Sequence, residues 1–163
     1  MKNLMVFVAV SFVLAACAST PKQASTAPAP QAKGLSQAQI DAQKLTAELS
    51  TLKNKSVYFD FDKSVVKPEY SGTVQQQAEF IQAHGNDVVT LEGNCDERGS
   101  NEYNLALGQR RADAVRKDIE LLGVKADQVK TVSFGEEKPR LTCHAEKCWK
   151  ENRRVDFDHQ LSK

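Results

Sequence analysis

Asp96 and Arg111 are the two residues whose types and spacing most strongly suggest a ligand. The run Gly93-Asn94-Cys95-Asp96-Glu97-Arg98-Gly99-Ser100 joins an apolar strand to an amphipathic helix. That helix continues through Tyr103-Asn104-Leu105-Ala106-Leu107-Gly108-Gln109-Arg110-Arg111-Ala112. A carboxylate then stands at a strand end and a guanidinium inside a helix. Together they can grip a zwitterion such as a free amino-acid end. The carboxylate accepts from the ammonium, and the planar guanidinium pairs with the carboxylate through two parallel hydrogen bonds. The competing reading is an internal salt bridge, with Asp96 capping the helix or pairing with Arg98. If the helix starts near Asn101, Arg111 lies about 15 Å along its axis. Its side chain leans back toward the N-terminus, so the 94–100 loop must fold over the helix to close a site.

The elements that must position these groups follow from hydrophobic spacing. Ser36 and Gln39 form a capping-box signal, and Leu35, Ala38, Ala42, Leu45, Leu49 and Leu52 trace one narrow seam of a helix over 35–53. That seam is short for a coiled coil and suits a helix lying on its own domain or fraying. Val57, Phe59 and Phe61 alternate with polar residues as a half-buried strand. Pro68 suits the first turn of a helix, whose face is Tyr70, Val74, Ala78 and Ile81 and whose stop is Gly85. Val88 to Leu91 is a second strand. The next helix carries Leu105, Gly108, Ala112, Val115, Ile119 and Leu122 and stops at Gly123. Val129 to Phe134 is a third strand. After a long polar loop, Arg154 to Phe157 is a fourth, and 159–163 reads as a tail. Alternation sends Arg153 and Arg154 to opposite faces, one of them a candidate solvated edge charge, while Arg110 faces away from Arg111. The order β-α-β-α-β-loop-β predicts an α/β sandwich with helices on one face of a mixed sheet.

The first 34 residues have a different character. Lys2 and the apolar stretch Leu4 to Ala16 read as an export signal, too short for a stable span of about 20 residues. It ends in Leu14-Ala15-Ala16-Cys17, which resembles the lipobox of bacterial lipoproteins. The resemblance implies cleavage after residue 16 and acylation of Cys17. Several acyl chains anchor firmly where one does not. By analogy with the sorting rule of such lipoproteins, Ala18, rather than Asp, favours the outer membrane over the inner one. Residues 18–34 are rich in Ala, Pro, Gln, Ser, Thr and Lys without apolar periodicity, which predicts a disordered tether reaching roughly 50 Å. The chain has 22 basic and 21 acidic side chains. Loss of Lys2 brings them into balance, which argues against a nucleic-acid partner.

Six motifs occur in order: Tyr58-Phe59-Asp60-Phe61-Asp62-Lys63, Cys95-Asp96-Glu97-Arg98-Gly99-Ser100, Tyr103-Asn104, Leu107-Gly108-Gln109-Arg110-Arg111-Ala112, Phe134-Gly135-Glu136-Glu137-Lys138-Pro139 and Asn152-Arg153-Arg154-Val155. Over residues 55–158 they closely resemble the OmpA-like peptidoglycan-binding domain. With the lipobox and tether, the whole chain resembles the peptidoglycan-associated lipoproteins. The resemblance implies that Asp96 and Arg111 hold the diaminopimelate of the peptidoglycan stem peptide, with Phe61, Asp62 and Leu107 lining the site. It also implies the outer membrane as location, the domain facing the periplasm, and the Tol system as partner, especially its TolB-type propeller protein. No cofactor is implied.

Four cysteines are present. With Cys17 given to lipid, Cys95, Cys143 and Cys148 remain in an oxidising compartment. Cys143 and Cys148 lie in one loop that can bring them within disulfide distance, leaving Cys95 a free thiol beside Asp96. The sharper alternative is a zinc set of Cys143, His144, Cys148 and Cys95, against which the adjacent ligands and the compartment both weigh. His84, His144 and His159 are scattered, and no nucleophile or metal-hydrolase spacing occurs. A carboxylate pair of Asp62 and Asp96 suggests a wall hydrolase as the other class, but so small a domain has little room for a glycan cleft. The sequence therefore predicts a binding protein and not an enzyme.

Overall fold

The computed structural model describes residues 35–162; the export signal, Cys17 and the tether lie outside them. Helix α1 (Gln37–Lys53) opens with the capping box expected of Ser36 and Gln39. Strand β1 (Val57–Tyr58) follows, then a 3-10 turn over Pro68–Tyr70 that leads into α2 (Ser71–Ala83). Next come β2 (Asp87–Asn94), α3 (Asn101–Leu121), β3 (Val129–Gly135), α4 (Glu146–Asn152) and β4 (Arg154–Leu161). The sheet order is β1-β4-β2-β3, with β2 and β3 parallel and the other pairs antiparallel.

The core lies between one sheet face and two helices. Val57, Val89, Leu91, Val155 and Phe157 from the strands meet Val74, Ala78 and Ile81 of α2 and Ala112, Val115 and Ile119 of α3. Alternation in β2 sends Val89 and Leu91 inward and leaves Thr90 and Glu92 on the other face. One close approach sets the position of α3. A Cβ on Gly108 would lie 2.9 Å from the carbonyl oxygen of Gly93, so only a hydrogen at this point lets the helix rest on the end of β2.

Four expectations need correction. The alternation at 57–61 becomes a two-residue strand. Phe59 N still donates to Arg153 O at 2.9 Å, but the chain then turns, with Lys63 N donating to Asp60 O at 3.2 Å, and Phe61 is 54% exposed. The long polar loop contains α4, whose seven residues are too few to show a helical period. Residues 159–161 are strand rather than tail. His159 is buried, with Nδ1 2.7 Å from Asp87 Oδ2 and Nε2 2.8 Å from Gln77 Oε1. Gln77 Nε2 in turn donates to Leu52 O at 3.0 Å. This contact holds the last turn of α1, and Leu52 is the one residue of the predicted seam that is buried. Finally, Arg153 and Arg154 are both buried and neither is a solvated edge charge, because β4 lies inside the sheet.

Gly108→Ala should overpack the α3–β2 contact and cost about 1–3 kcal/mol. Thermal unfolding followed by circular dichroism is expected to show a midpoint several degrees lower, and an unchanged midpoint would refute the close approach.

Candidate functional site

Arg111 is fully buried, and its guanidinium is satisfied by main-chain oxygens. Nε donates to Lys63 O at 2.8 Å, Nη1 to Asn94 O at 2.9 Å and Nη2 to Asp60 O at 3.1 Å. Nη1 also approaches Cys95 Sγ at 3.4 Å. Among the described residues, no carboxylate bonds to it. Burial is the main influence on this group and lowers its pKa. The loop after β1 and the end of β2 are thereby tied to α3 through one side chain. The 94–100 segment lies against α3, through Asn94 O and Cys95 Sγ on Arg111 and through Asp96 O and Arg98 O on Asn104. The Gly93–Gly108 contact brings α3 close enough for Arg111 to reach the strand end.

Asp96 is also buried, at 3% exposure, and its two oxygens accept four hydrogen bonds. Oδ1 takes Arg98 N at 3.1 Å and Arg98 Nε at 3.0 Å; Oδ2 takes Arg98 Nη2 at 2.7 Å and Arg153 Nη1 at 3.1 Å. Burial opposes ionisation most strongly of the single influences. The bonds from Arg98 and Arg153 together outweigh it and hold the carboxyl below its ordinary value. The internal Asp96–Arg98 pairing weighed from sequence is therefore present, alongside the shared pocket.

That pocket, about 200 Å³, is bordered by Phe61, Asp62, Cys95, Asp96, Arg98, Leu107, Arg111 and Arg153 among others. All five residues expected to line a binding site thus meet around one cavity. Asp62 is exposed and sits in the left-handed region at φ 56°. Its Oδ1 accepts from the Tyr103 hydroxyl. Arg98 lies between two aromatic faces, 3.9 Å from the Phe61 ring centre and 4.2 Å from that of Trp149. Trp149 Nε1 donates to Glu97 at 2.8 Å, and His144 Nδ1 lies 2.7 Å from the same carboxylate. Asn104 secures the loop by donating from Nδ2 to Asp96 O and Arg98 O, each at 3.3 Å.

Arg98, Arg153, Tyr103 and Trp149 were not among the sequence candidates. Trp149 had no signal, because α4 was unforeseen. Arg98 had one: it follows Asp96 by two residues in a turn, where side chains fold back locally.

Cys143 and Cys148 are joined in a disulfide (S–S 2.03 Å, Cα–Cα 5.6 Å) that fastens α4 to the preceding loop. Both sulfurs are thus withdrawn from the zinc set, and no metal-ligating cluster occurs among the described residues. Cys95 is the free cysteine among them. Its Sγ donates to Asn104 O at 3.3 Å, and burial pushes its thiol up to about 11.

Comparison with known proteins follows this geometry. The OmpA family model matches residues 58–153. The chain belongs to the OmpA family. A peptidoglycan-associated lipoprotein of Pasteurella multocida is 44% identical, the match covering 88% of this chain and 87% of that one. One from Brucella melitensis is 42% identical over 99 residues, covering 61% of this chain and 59% of the relative. The chain therefore spans under two thirds of the length of such Brucella relatives. A crystal structure of the peptidoglycan-associated lipoprotein from Burkholderia pseudomallei is 48% identical, with TM-score 0.64 over 66% of this chain and 91% of that one. In this OmpA-family domain, all six motifs fall within residues 58–155, and five of them supply residues bordering the pocket.

Two outcomes are expected. Cys95 should resist alkylation in the folded protein at neutral pH, since the thiol is both buried and protonated. Mass spectrometry after iodoacetamide should show one modified thiol only under denaturant, and rapid labelling of the native protein would contradict the placement. Asp96, with its folded pKa depressed, contributes stability above the ordinary carboxylate range. That contribution is lost as pH falls through the folded value. Acid titration of the unfolding midpoint should therefore be less steep in Asp96→Asn.

Proposed function

We propose that this protein is an outer-membrane lipoprotein, anchored through acylated Cys17, that binds peptidoglycan non-covalently through the diaminopimelate of the stem peptide. The observation that carries the reading is a pocket of about 200 Å³ walled by Asp62 and Asp96 on one side of the charge balance and Arg98, Arg111 and Arg153 on the other. The side-chain end of diaminopimelate bears one ammonium and one carboxylate, and such a pocket complements both. Relatives over most of the chain's length are named for association with peptidoglycan and not for catalysis.

In this reading the domain faces the periplasm, and residues 18–34 span the distance between bilayer and wall. The protein ties the outer membrane to the wall as part of the Tol-Pal system. A TolB-type propeller would be its protein partner, with roles in envelope integrity and in outer-membrane constriction at division. It is a tether and performs no reaction.

Sedimentation with isolated sacculi tests the proposal. The protein should pellet with walls built on diaminopimelate and remain soluble with walls built on lysine, whose side chain lacks the second carboxylate. Equal pelleting with both, or with neither, would contradict it.

A further inference from the structure

We propose that α4 is a disulfide-held latch on the pocket: reduction of Cys143–Cys148 releases Trp149 from Arg98 and weakens the hold on the stem peptide. Trp149 is then a positioning residue, and the redox dependence rests on the stem-peptide reading of the pocket.

Little else fixes the first turn of α4. Its seven residues are far fewer than the roughly 12–15 that an isolated helix needs. Ala145 caps it with no side-chain hydrogen bond, and the core between the sheet, α2 and α3 contains none of its residues. Asn152 ties the far end, accepting from Arg140 N at 2.8 Å and Leu141 N at 2.9 Å. At the near end Glu146 pairs with Arg153, but the Glu146 side chain is 60% accessible, and such exposed carboxylates contribute little. The disulfide is the firm attachment of the first turn, and Cys148 directly precedes Trp149.

Trp149 carries that attachment to the pocket. Its ring centre lies 4.2 Å from the Arg98 guanidinium, and its Nε1 donates to Glu97 at 2.8 Å. Arg98 in turn gives Asp96 three of its four hydrogen bonds, through N, Nε and Nη2. One indole thus clamps the Asp96-Glu97-Arg98 segment through two of its side chains. An arginine held against an aromatic ring has already lost the rotamer freedom that binding would otherwise cost. With Trp149 released, Arg98 regains that freedom, and Asp96 loses the partner that fixes its direction in the pocket.

The bridge is open to chemistry. A second cavity of about 200 Å³ is bordered by Cys143 together with Cys95, Glu97 and His144, and Cys143 is only half-buried. Cys95 does not exchange with the bridge at neutral pH, because burial keeps its thiol protonated. Reduction therefore needs an external dithiol. One thiolate of the dithiol attacks Cys143 Sγ, the S–S bond breaks, and Cys148 leaves as a thiolate that takes up a proton. The second thiol of the reductant then attacks the reductant's own sulfur in the mixed disulfide. Cys143 is released as a thiol, and the dithiol is oxidised to a disulfide, so two electrons and two protons reach the protein. In an oxidising compartment the closed bridge is the resting state.

Calorimetric titration of the purified protein with a stem tetrapeptide carrying meso-diaminopimelate, before and after reduction by dithiothreitol, tests the latch. Trp149 is the single tryptophan of the chain, so its fluorescence reports the ring directly. Reduction should move the emission to longer wavelength as the ring enters water, and leave the unfolding transition of the domain in place. It should weaken peptide binding by about five- to tenfold, the range of one cation–aromatic contact. Trp149→Ala should bind that weakly in both redox states. Trp149→Phe, which keeps a ring for Arg98 and loses the bond to Glu97, should bind more tightly than Trp149→Ala when oxidised. Reduction that leaves wild-type emission or affinity unchanged, that weakens Trp149→Ala as much as wild type, or that unfolds the domain would overturn the latch and leave the stem-peptide reading standing. An oxidised wild type that binds no peptide would remove that reading, and the redox dependence of binding with it.

Discussion

The buried guanidinium of Arg111 is the constraint on which the rest of the site depends. One side chain from the middle of α3 bonds to oxygens of Asp60, Lys63 and Asn94. Two loops that are far apart in sequence are thereby set at one height around a common floor. The tie requires the helix axis to approach the strand end, and the facing glycines 93 and 108 allow it. A cation taken out of water without a carboxylate is costly unless its donors are met. Here most of them are met by main-chain oxygens, one at the end of β2 and two in the loop after β1.

Both buried charges are heavily engaged: Arg111 donates four hydrogen bonds and Asp96 accepts four. Arg153 links Asp96 to Phe59 O and to Glu146 at the start of α4, so the floor extends beneath both the first loop and the last. Above this floor, Asp62 and Arg98 are the more exposed charged residues of the pocket.

The legible part of the sequence was the part with a period. α2, α3, β2 and β3 were visible because Val89, Leu91, Ala112, Val115 and Ile119 repeat at the spacings their elements require. The association of Phe61, Asp62, Asp96, Leu107 and Arg111 was visible through ordered motifs. Short or locally folded features were not. β1 has two residues and α4 has seven, and neither length displays periodicity. The burial of His159 and Arg153 depends on β4 lying inside the sheet, a matter of strand order rather than of local pattern. The four hydrogen bonds on Asp96 arise from Arg98 folding back and Arg153 arriving from 57 residues away. Composition cannot reveal a saturated acceptor.

Guanidinium nitrogen NMR during titration with the diaminopimelate stem peptide addresses the central claim most directly. Arg98, Arg111 and Arg153 all border the pocket and Arg154 does not, and each arginine's Nε–H reports on its own environment. Saturation should shift signals of the pocket arginines and leave that of Arg154 where it was in the free protein. Pocket arginine signals that stay unmoved at saturation would contradict the account, because the ligand's carboxylate would then be held elsewhere.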